Sequence, residues 1–398
     1  MSVEKNMPSA DEPMLMSRRG LLRASGAAIG GLSLSAMFGS ALARTEITAE
    51  TQRVLMPTAD DPIRVNFNEN ALGMSPKAQA AARDAIVKAF RYADAEVAAL
   101  KELIAKEYGV STEHILLTHG SAEGIRASMA AYAGDNVQFV GTELTYDDGP
   151  RHAKNLGMTI VQVPHKANLS FDIEGMKKAV EQHKGVNVVY LVNPNNPTSM
   201  ITPADEIEPW IKSKPTQTVF IVDEAYAEFA TDPAFRSVDG LIKAGLDNVV
   251  LLKTFSKIHA MAGMRVGYVF ASPENIEKIS RFVGTEDLNY CGVCAAAQSL
   301  QDKEFLALSQ ANNAQSLKIM TDVLDELKLE YLPSQANFLF HRVNGDLDNY
   351  RQTMKNAHIL VGRKFPPAIQ WCRLTMGTPA EMQYVAKTMR DLRAQGQI

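Results

Sequence analysis

Six short, continuously apolar runs constrain this chain more than any other feature of its sequence. They are Ile115–Thr118, Asn136–Val140, Thr159–Val163, Val186–Val192, Val219–Val222 and Val249–Leu252. Each is rich in Val, Ile, Leu, Phe or Tyr, and most are followed by a helix-length segment. A strand with one wet face alternates apolar and polar residues, whereas a continuous run belongs to a strand covered on both faces. The fold expected is therefore α/β, with a large domain built on a mostly parallel sheet flanked by helices. After about residue 300 the pattern changes to a long helix over Glu304–Lys328, strands at Asn337–Arg342, Ile359–Arg363 and Trp371–Met376, and a last helix over Pro379–Arg393. That change predicts a smaller α+β C-terminal domain. The expected division is an N-terminal arm and part of the small domain over 44–90, the large domain over 91–300 and the small domain over 301–398.

Composition narrows the function. The 398 residues are 46% hydrophobic and 22% charged, values of a packed globular protein. A formal net charge of −4 announces no basic surface, so no nucleic-acid partner is expected. Three cysteines, Cys291, Cys294 and Cys372, cannot build a disulfide scaffold. The Cys291-Gly292-Val293-Cys294 spacing lacks the strand-to-helix context of a redox motif and reads as two half-buried thiols at a helix start. No metal site is expected, because the eight histidines form neither H-E-x-x-H nor a Cys/His cluster. Residues 44–398 also carry no glycine-rich dinucleotide or P-loop signature.

Residues 1–43 read as an address. Ser17-Arg18-Arg19-Gly20-Leu21-Leu22 precedes an uncharged stretch, 24–43, that holds four Gly and four Ser, too weakly apolar for stable membrane insertion. It closes on Ala41-Leu42-Ala43, a small-x-small cleavage pattern. The three features in this order resemble a twin-arginine export signal. That implies engagement of the twin-arginine machinery and a folded, periplasmic product.

The densest chemical signal is Thr254-Phe255-Ser256-Lys257 followed by Gly263-Met264-Arg265. A lysine directly after an apolar strand, in a hydroxyl-rich turn, is an amine able to form a Schiff base. Two hydroxyls and an arginine eight residues on can surround a phosphate. Upstream, Asp223 ends the run that leads into Glu224-Ala225-Tyr226, and Asn193-Pro194-Asn195-Asn196-Pro197-Thr198 follows Val186–Val192. Gly120-Ser121-Ala122-Glu123 opens a helix whose free amides can hold an anion. Carboxyl ends of parallel strands are where α/β proteins bind ligands. Each piece alone has a plain structural reading; their order and spacing do not.

Together these motifs resemble the fold-type I aminotransferases that use pyridoxal 5′-phosphate, and in particular the histidinol-phosphate aminotransferase branch. The resemblance runs from Val65-Asn66-Phe67-Asn68-Glu69-Asn70 to Arg373-Leu374-Thr375-Met376-Gly377-Thr378. It implies that Lys257 carries the cofactor and moves a proton between the substrate Cα and the cofactor C4′. Asp223 would pair with the pyridine nitrogen, Asn196 and Tyr226 with the 3′-oxygen, and Tyr146 would stack on the ring. The Ser121 and Ala122 amides with Thr254, Ser256 and Arg265 would bind the phosphate. Tyr92 would reach the phosphate of a neighbouring subunit, which implies a homodimer. Arg373, with Asn337 beside it, would hold the substrate carboxylate, and Arg363 would face its side chain.

Three departures from the family's pattern stand out. Ser199 replaces a usual glycine, Leu144 a usual proline, and Arg363 is displaced by Gly362 and followed by Phe365-Pro366-Pro367. The last of these, with the export signal, points away from histidinol phosphate itself and toward α-amino acid and 2-oxo acid substrates. The same electron sink would also serve a lyase, racemase or oxidase of amino acids, and a non-catalytic cofactor-binding protein is a third reading.

Overall fold

The computed structural model describes residues 56–284 and 288–398. The expected export signal and the first residues after it lie outside them. The described residues belong to one compact unit that begins at Leu55. Its elements are β1 (Ile63–Val65), α1 (Pro76–Ala85), α2 (Asp94–Tyr108), β2 (Ile115–Thr118), α3 (Gly120–Ala131), β3 (Val137–Thr142), α4 (Asp148–Asn155), β4 (Thr159–Val163), α5 (Ile173–Gln182), β5 (Val186–Val192), α6 (Ala204–Lys212) and β6 (Thr218–Asp223). There follow α7 (Asp239–Lys243), β7 (Val249–Thr254), β8 (Gly267–Ala271), α8 (Pro273–Ser280), α9 (Tyr290–Gln301), α10 (Lys303–Glu326), β9 (Phe338–Arg342), α11 (Leu347–Asn356), β10 (Ile359–Val361), β11 (Trp371–Thr375) and α12 (Pro379–Ala394).

Seven strands form the central sheet in the order β2-β8-β7-β6-β5-β3-β4. All run parallel except β8, which is antiparallel to both β7 and β2. The continuous apolar runs have the cause expected of them. Along β5, Val189 and Leu191 enter one buried cluster while Val188, Tyr190 and Val192 enter the cluster on the other face. Alternate side chains thus leave the strand on opposite sides and both sides are covered by helices.

A separate apolar core holds the C-terminal layer, with Met320, Val323 and Leu324 of α10, Val385 and Met389 of α12, and Leu339, Ile359 and Leu374 from the strands. Ile63 and Val65 join it, because β1 pairs in parallel with β10 at Ile63↔Ile359. The N-terminal segment is thereby drawn onto the C-terminal layer. Helix starts follow local chemistry: Ser75, Asp172, Ser272, Asn289 and Asp346 each cap a first turn, and Thr378 with Glu381 forms a reciprocal capping box at α12. Cys291 and Cys294 sit among the first five residues of α9, half-buried and free of disulfide.

Ser199 takes the left-handed conformation, φ 60°, that the usual glycine adopts freely. Leu144 is buried among Phe340, Phe365 and Trp371, and its carbonyl accepts from the Asn195 amide at 3.0 Å.

Among the described residues no helix is long and apolar enough to cross a membrane, and no group of three His, Cys, Asp or Glu side chains is placed to hold a metal ion.

Candidate active site

Loops leaving the carboxyl ends of β2, β3, β5, β6 and β7 converge on one cleft of about 470 Å³. It is lined by Ser121, Ala122, Tyr146, Asn196, Asp223, Tyr226, Thr254, Ser256, Lys257, Arg265, Arg363 and Arg373. Two residues singled out from the sequence are absent from this lining. Tyr92 is 72% exposed on the segment between α1 and α2. Asn337 is buried behind the wall, and its amide donates to the Asn68 and Glu69 carbonyls at 3.2 Å each.

One end of the cleft is built for a phosphate-sized anion. α3 begins at Gly120 with no side-chain cap, so the first amides of its 12-residue dipole face the cleft unpaired by a capping group. Gly120 has φ +72°, and a Cβ there would stand 2.5 Å from an Arg265 guanidinium nitrogen. Its lack of a side chain lets the guanidinium lie against the helix start. Arg265 is itself left-handed, and its two terminal nitrogens donate to the Ala262 and His119 carbonyls at 2.7 and 3.1 Å. The Thr254 hydroxyl donates to Ser256 Oγ at 2.9 Å, and Ser256 Oγ lies at the same end of the cleft, 3.5 Å from Arg265. Backbone amides, two hydroxyls and a guanidinium make a donor set suited to a dianion.

The middle of the cleft suits a cationic ring nitrogen. Asp223 is 2% exposed; one carboxylate oxygen accepts from the Ala225 amide at 3.0 Å, the other faces the Tyr190 hydroxyl at 3.5 Å. Burial pushes its pKa up to about 6, against the pull of the Ala225 amide and Lys257. A buried carboxylate this thinly partnered is at its most stable facing a cation in the cleft. Tyr146 ties its hydroxyl to Asp148 at 2.9 Å, which leaves its ring as a wall. Lys257 Nζ stands 5.6 Å from the centre of the Tyr226 ring.

The far end is basic. Arg373 is 8% exposed and donates to Asn196 Oδ1 and to the Asn66 carbonyl, both at 2.7 Å. Both acceptors are neutral, and among the described residues no carboxylate pairs with the guanidinium. Because Asn196 spends its oxygen on Arg373, its NH₂ group is the part left for the cleft. Gly362 permits this layout, since a Cβ there would stand 2.5 Å from the Arg373 carbonyl. Arg363 reaches the cleft despite the shift noted in the sequence. It donates to Asp147 at 2.9 Å and lies 4.4 Å over the Phe365 ring, whose other neighbour is Arg373 at 4.9 Å.

Pyridoxal phosphate fits this donor set: an anion cup, a buried carboxylate for the ring nitrogen, an aromatic wall and a lysine between them. Sequence reasoning missed the supports of these groups. Asp148 holds Tyr146, Tyr190 lies under Asp223, and Asn68 donates to the Tyr226 hydroxyl at 3.0 Å. The segment Val65–Asn70 was visible as a motif, but nothing in it announced that contact.

Known proteins agree with this architecture. The family described as aminotransferase class I and II matches residues 60–389. A histidinol-phosphate aminotransferase of Rhodospirillum centenum is 32% identical over 83% of this chain and 91% of its own. The crystal structure of an Erwinia carotovora atroseptica protein, provisionally named a histidinol-phosphate aminotransferase, is 55% identical with a TM-score of 0.86, over 86% of this chain and 99% of that one. That of the Sinorhizobium meliloti histidinol-phosphate aminotransferase in complex with pyridoxal-5′-phosphate is 26% identical with a TM-score of 0.76, over 89% of this chain and 100% of that one. With its mostly parallel seven-stranded sheet, smaller C-terminal domain and lysine-centred cleft, the chain belongs to the class I and II aminotransferases.

Proposed function

We propose that this aminotransferase uses pyridoxal phosphate to move the amino group of an α-amino acid to a 2-oxo acid, as a homodimer exported to the periplasm. The observation that carries the substrate class is Arg373, a buried guanidinium whose two hydrogen bonds both go to neutral oxygens. An α-carboxylate supplies the missing charge. When bound, the cofactor supplies an electron sink for the pair left on Cα. Asp223 keeps the ring nitrogen protonated, Asn196 and Tyr226 donate toward the oxygen beside the lysine, and Lys257 takes the proton from Cα and returns it at C4′.

Histidinol phosphate, the substrate in the relatives' names, is the second reading, favoured by those names and by Arg363 on the cleft. Against it, Arg363 already pairs with Asp147, a carboxylate that a phosphate would have to face. A panel of L-amino acids and histidinol phosphate, each with and without 2-oxoglutarate, separates the readings. Amino acids should turn over only with the oxo acid present, and Arg373→Lys should lower kcat/KM by about 10- to 150-fold, the worth of a charged hydrogen bond. Histidinol phosphate as the best substrate would reject the amino-acid reading; turnover without an oxo acid would indicate a lyase, racemase or oxidase. A chain that holds the cofactor and turns over nothing would be the non-catalytic binder.

Exposed Ile86, Val87, Phe90 and Tyr92 on one short segment support a second copy as partner. Sedimentation equilibrium should show a dimer, and Tyr92→Phe should raise the cofactor dissociation constant about 10-fold. A fully active monomer would exclude a shared site. Export rests on Arg18, Arg19 and Ala41-Leu42-Ala43. Changing both arginines to lysine should leave loaded, folded protein in the cytoplasm, with cleavage after Ala43 abolished. Unchanged export of the double variant would refute the twin-arginine route.

A further inference from the structure

We propose that Asn68 is a positioning residue that fixes the direction of the Tyr226 hydroxyl proton, keeping that hydroxyl a donor into the cleft. The inference rests on the cofactor reading above and adds a residue to it. Asn68 is 1% exposed, holds φ 56° and is bonded at every polar atom. Its backbone amide donates to Thr375 Oγ1 at 2.9 Å, Thr375 Oγ1 lies 3.1 Å from Asn68 Oδ1, its Nδ2 lies 3.0 Å from the Tyr226 hydroxyl, and its carbonyl accepts from Asn337 at 3.2 Å.

The hydrogen bonds run in one direction along this chain of groups. Thr375 Oγ1 accepts from the Asn68 backbone N–H and gives its own proton to Asn68 Oδ1. That oxygen can only accept, which orients the amide and turns Nδ2 toward Tyr226. An NH₂ group can only donate, so the Tyr226 oxygen accepts here and its own proton is directed elsewhere. The open direction is the cleft that Tyr226 lines. Asn196, whose oxygen is held by Arg373, presents its NH₂ group to the same space. Two donors therefore converge beside Lys257. With the cofactor's aldehyde carbon at Lys257 and its ring nitrogen at Asp223, the anionic ring oxygen next to that carbon is the acceptor they suit.

Asparagine suits the position because it tolerates the left-handed conformation that most side chains avoid. Aspartate shares that tolerance and shape but carries no donor. In Asn68→Asp the Tyr226 proton turns to the new carboxylate and is lost to the cleft. Thr375→Val frees the amide to flip without adding charge, and Thr375→Ser keeps the hydroxyl.

The test is a pH titration of the visible absorbance of the cofactor-loaded, full-length enzyme, with thermal stability measured beside it. A donor to the anionic oxygen lowers the basicity of the oxygen–lysine pair, so losing it raises the midpoint. The expected shifts are about one unit or more upward for Asn68→Asp, a smaller rise for Thr375→Val, and none for Thr375→Ser. In a Tyr226→Phe background, Thr375→Val should shift nothing further, because no hydroxyl proton remains to direct. Loaded Thr375→Val with the wild-type midpoint, or an equal shift with and without the Tyr226 hydroxyl, would overturn the role of Asn68, whatever happens to stability. Should Asn68→Asp fail to fold, the threonine pair still decides. A wild-type protein that takes up no cofactor would instead overturn the reading beneath it.

Discussion

Lys257→Ala is expected to lower kcat by about 10⁴-fold or more, with the fold and the cofactor's phosphate contacts intact. The size of the loss follows from Lys257 being the one lysine lining the cleft among the described residues, while the lining carboxylate Asp147 is paired with Arg363 at 2.9 Å. Lys253, the nearest lysine in sequence, is buried against Glu228 at 2.6 Å and lies outside the cleft. On the proposed reading Asp223 faces the ring nitrogen; Arg265 and Arg373 are engaged as hydrogen-bond donors, and the Tyr146 hydroxyl is held by Asp148. Burial and that carboxylate also push the Tyr146 phenol well above its ordinary range, so it does not serve as a base near neutrality. Single-turnover measurements under cofactor saturation read the loss directly, and small exogenous amines should restore part of it. A variant within 10-fold of wild type would place the proton transfer elsewhere.

Asp223→Asn is expected to act in opposite directions on activity and on the cofactor-free fold. In the folded chain burial raises the Asp223 pKa from 3.8 to about 6. A carboxyl with a raised folded-state pKa binds its proton more tightly folded than unfolded, so its ionisation opposes folding. The penalty is absent below the ordinary pKa, grows as pH rises toward 6 and is fully present at pH 7, where it amounts to about 3 kcal/mol. The amide removes it. Calorimetry of cofactor-free protein should therefore show Asp223→Asn more stable than wild type at pH 7 and nearly equal to it at pH 4. With cofactor bound the order reverses, because the ring nitrogen has lost its counter-charge, and kcat should fall by about 10²-fold or more. A cofactor-free variant less stable than wild type at pH 7 would mean that Asp223 has a partner within the protein sufficient to offset its burial.

Much of this was legible before any coordinates, for physical reasons that also mark where legibility ended. The parallel sheet announced itself because strands buried on both faces admit only apolar residues. The signal failed at its edges where a polar residue was buried by a special arrangement. The apolar run that starts at Val249 ends at Leu252, but β7 continues to Thr254 because Lys253 is accommodated by Glu228 and Glu224. β8, the one antiparallel strand of the central sheet, follows the Gly263–Arg265 motif so closely that its five residues merge with that motif in the sequence. In the site, Lys257, Asp223 and Asn196 could be read because each follows a strand and lands on the same sheet edge. Their supports could not. Asn68 meets Thr375 across 307 positions and Tyr226 across 158, and no local pattern encodes a partner that distant. Arg363 illustrates the same limit: its shift in sequence suggested displacement, while the Gly362 backbone packs closely enough on Arg373 to bring it back to the cleft.

Borohydride reduction of the purified, cofactor-loaded protein followed by peptide mapping tests the central claim most directly. The account predicts one pyridoxyl group per chain, fixed on the peptide containing Thr254-Phe255-Ser256-Lys257, with the yellow absorbance lost on reduction. A label on any other lysine, or a yellow protein that yields no labelled peptide, would contradict it.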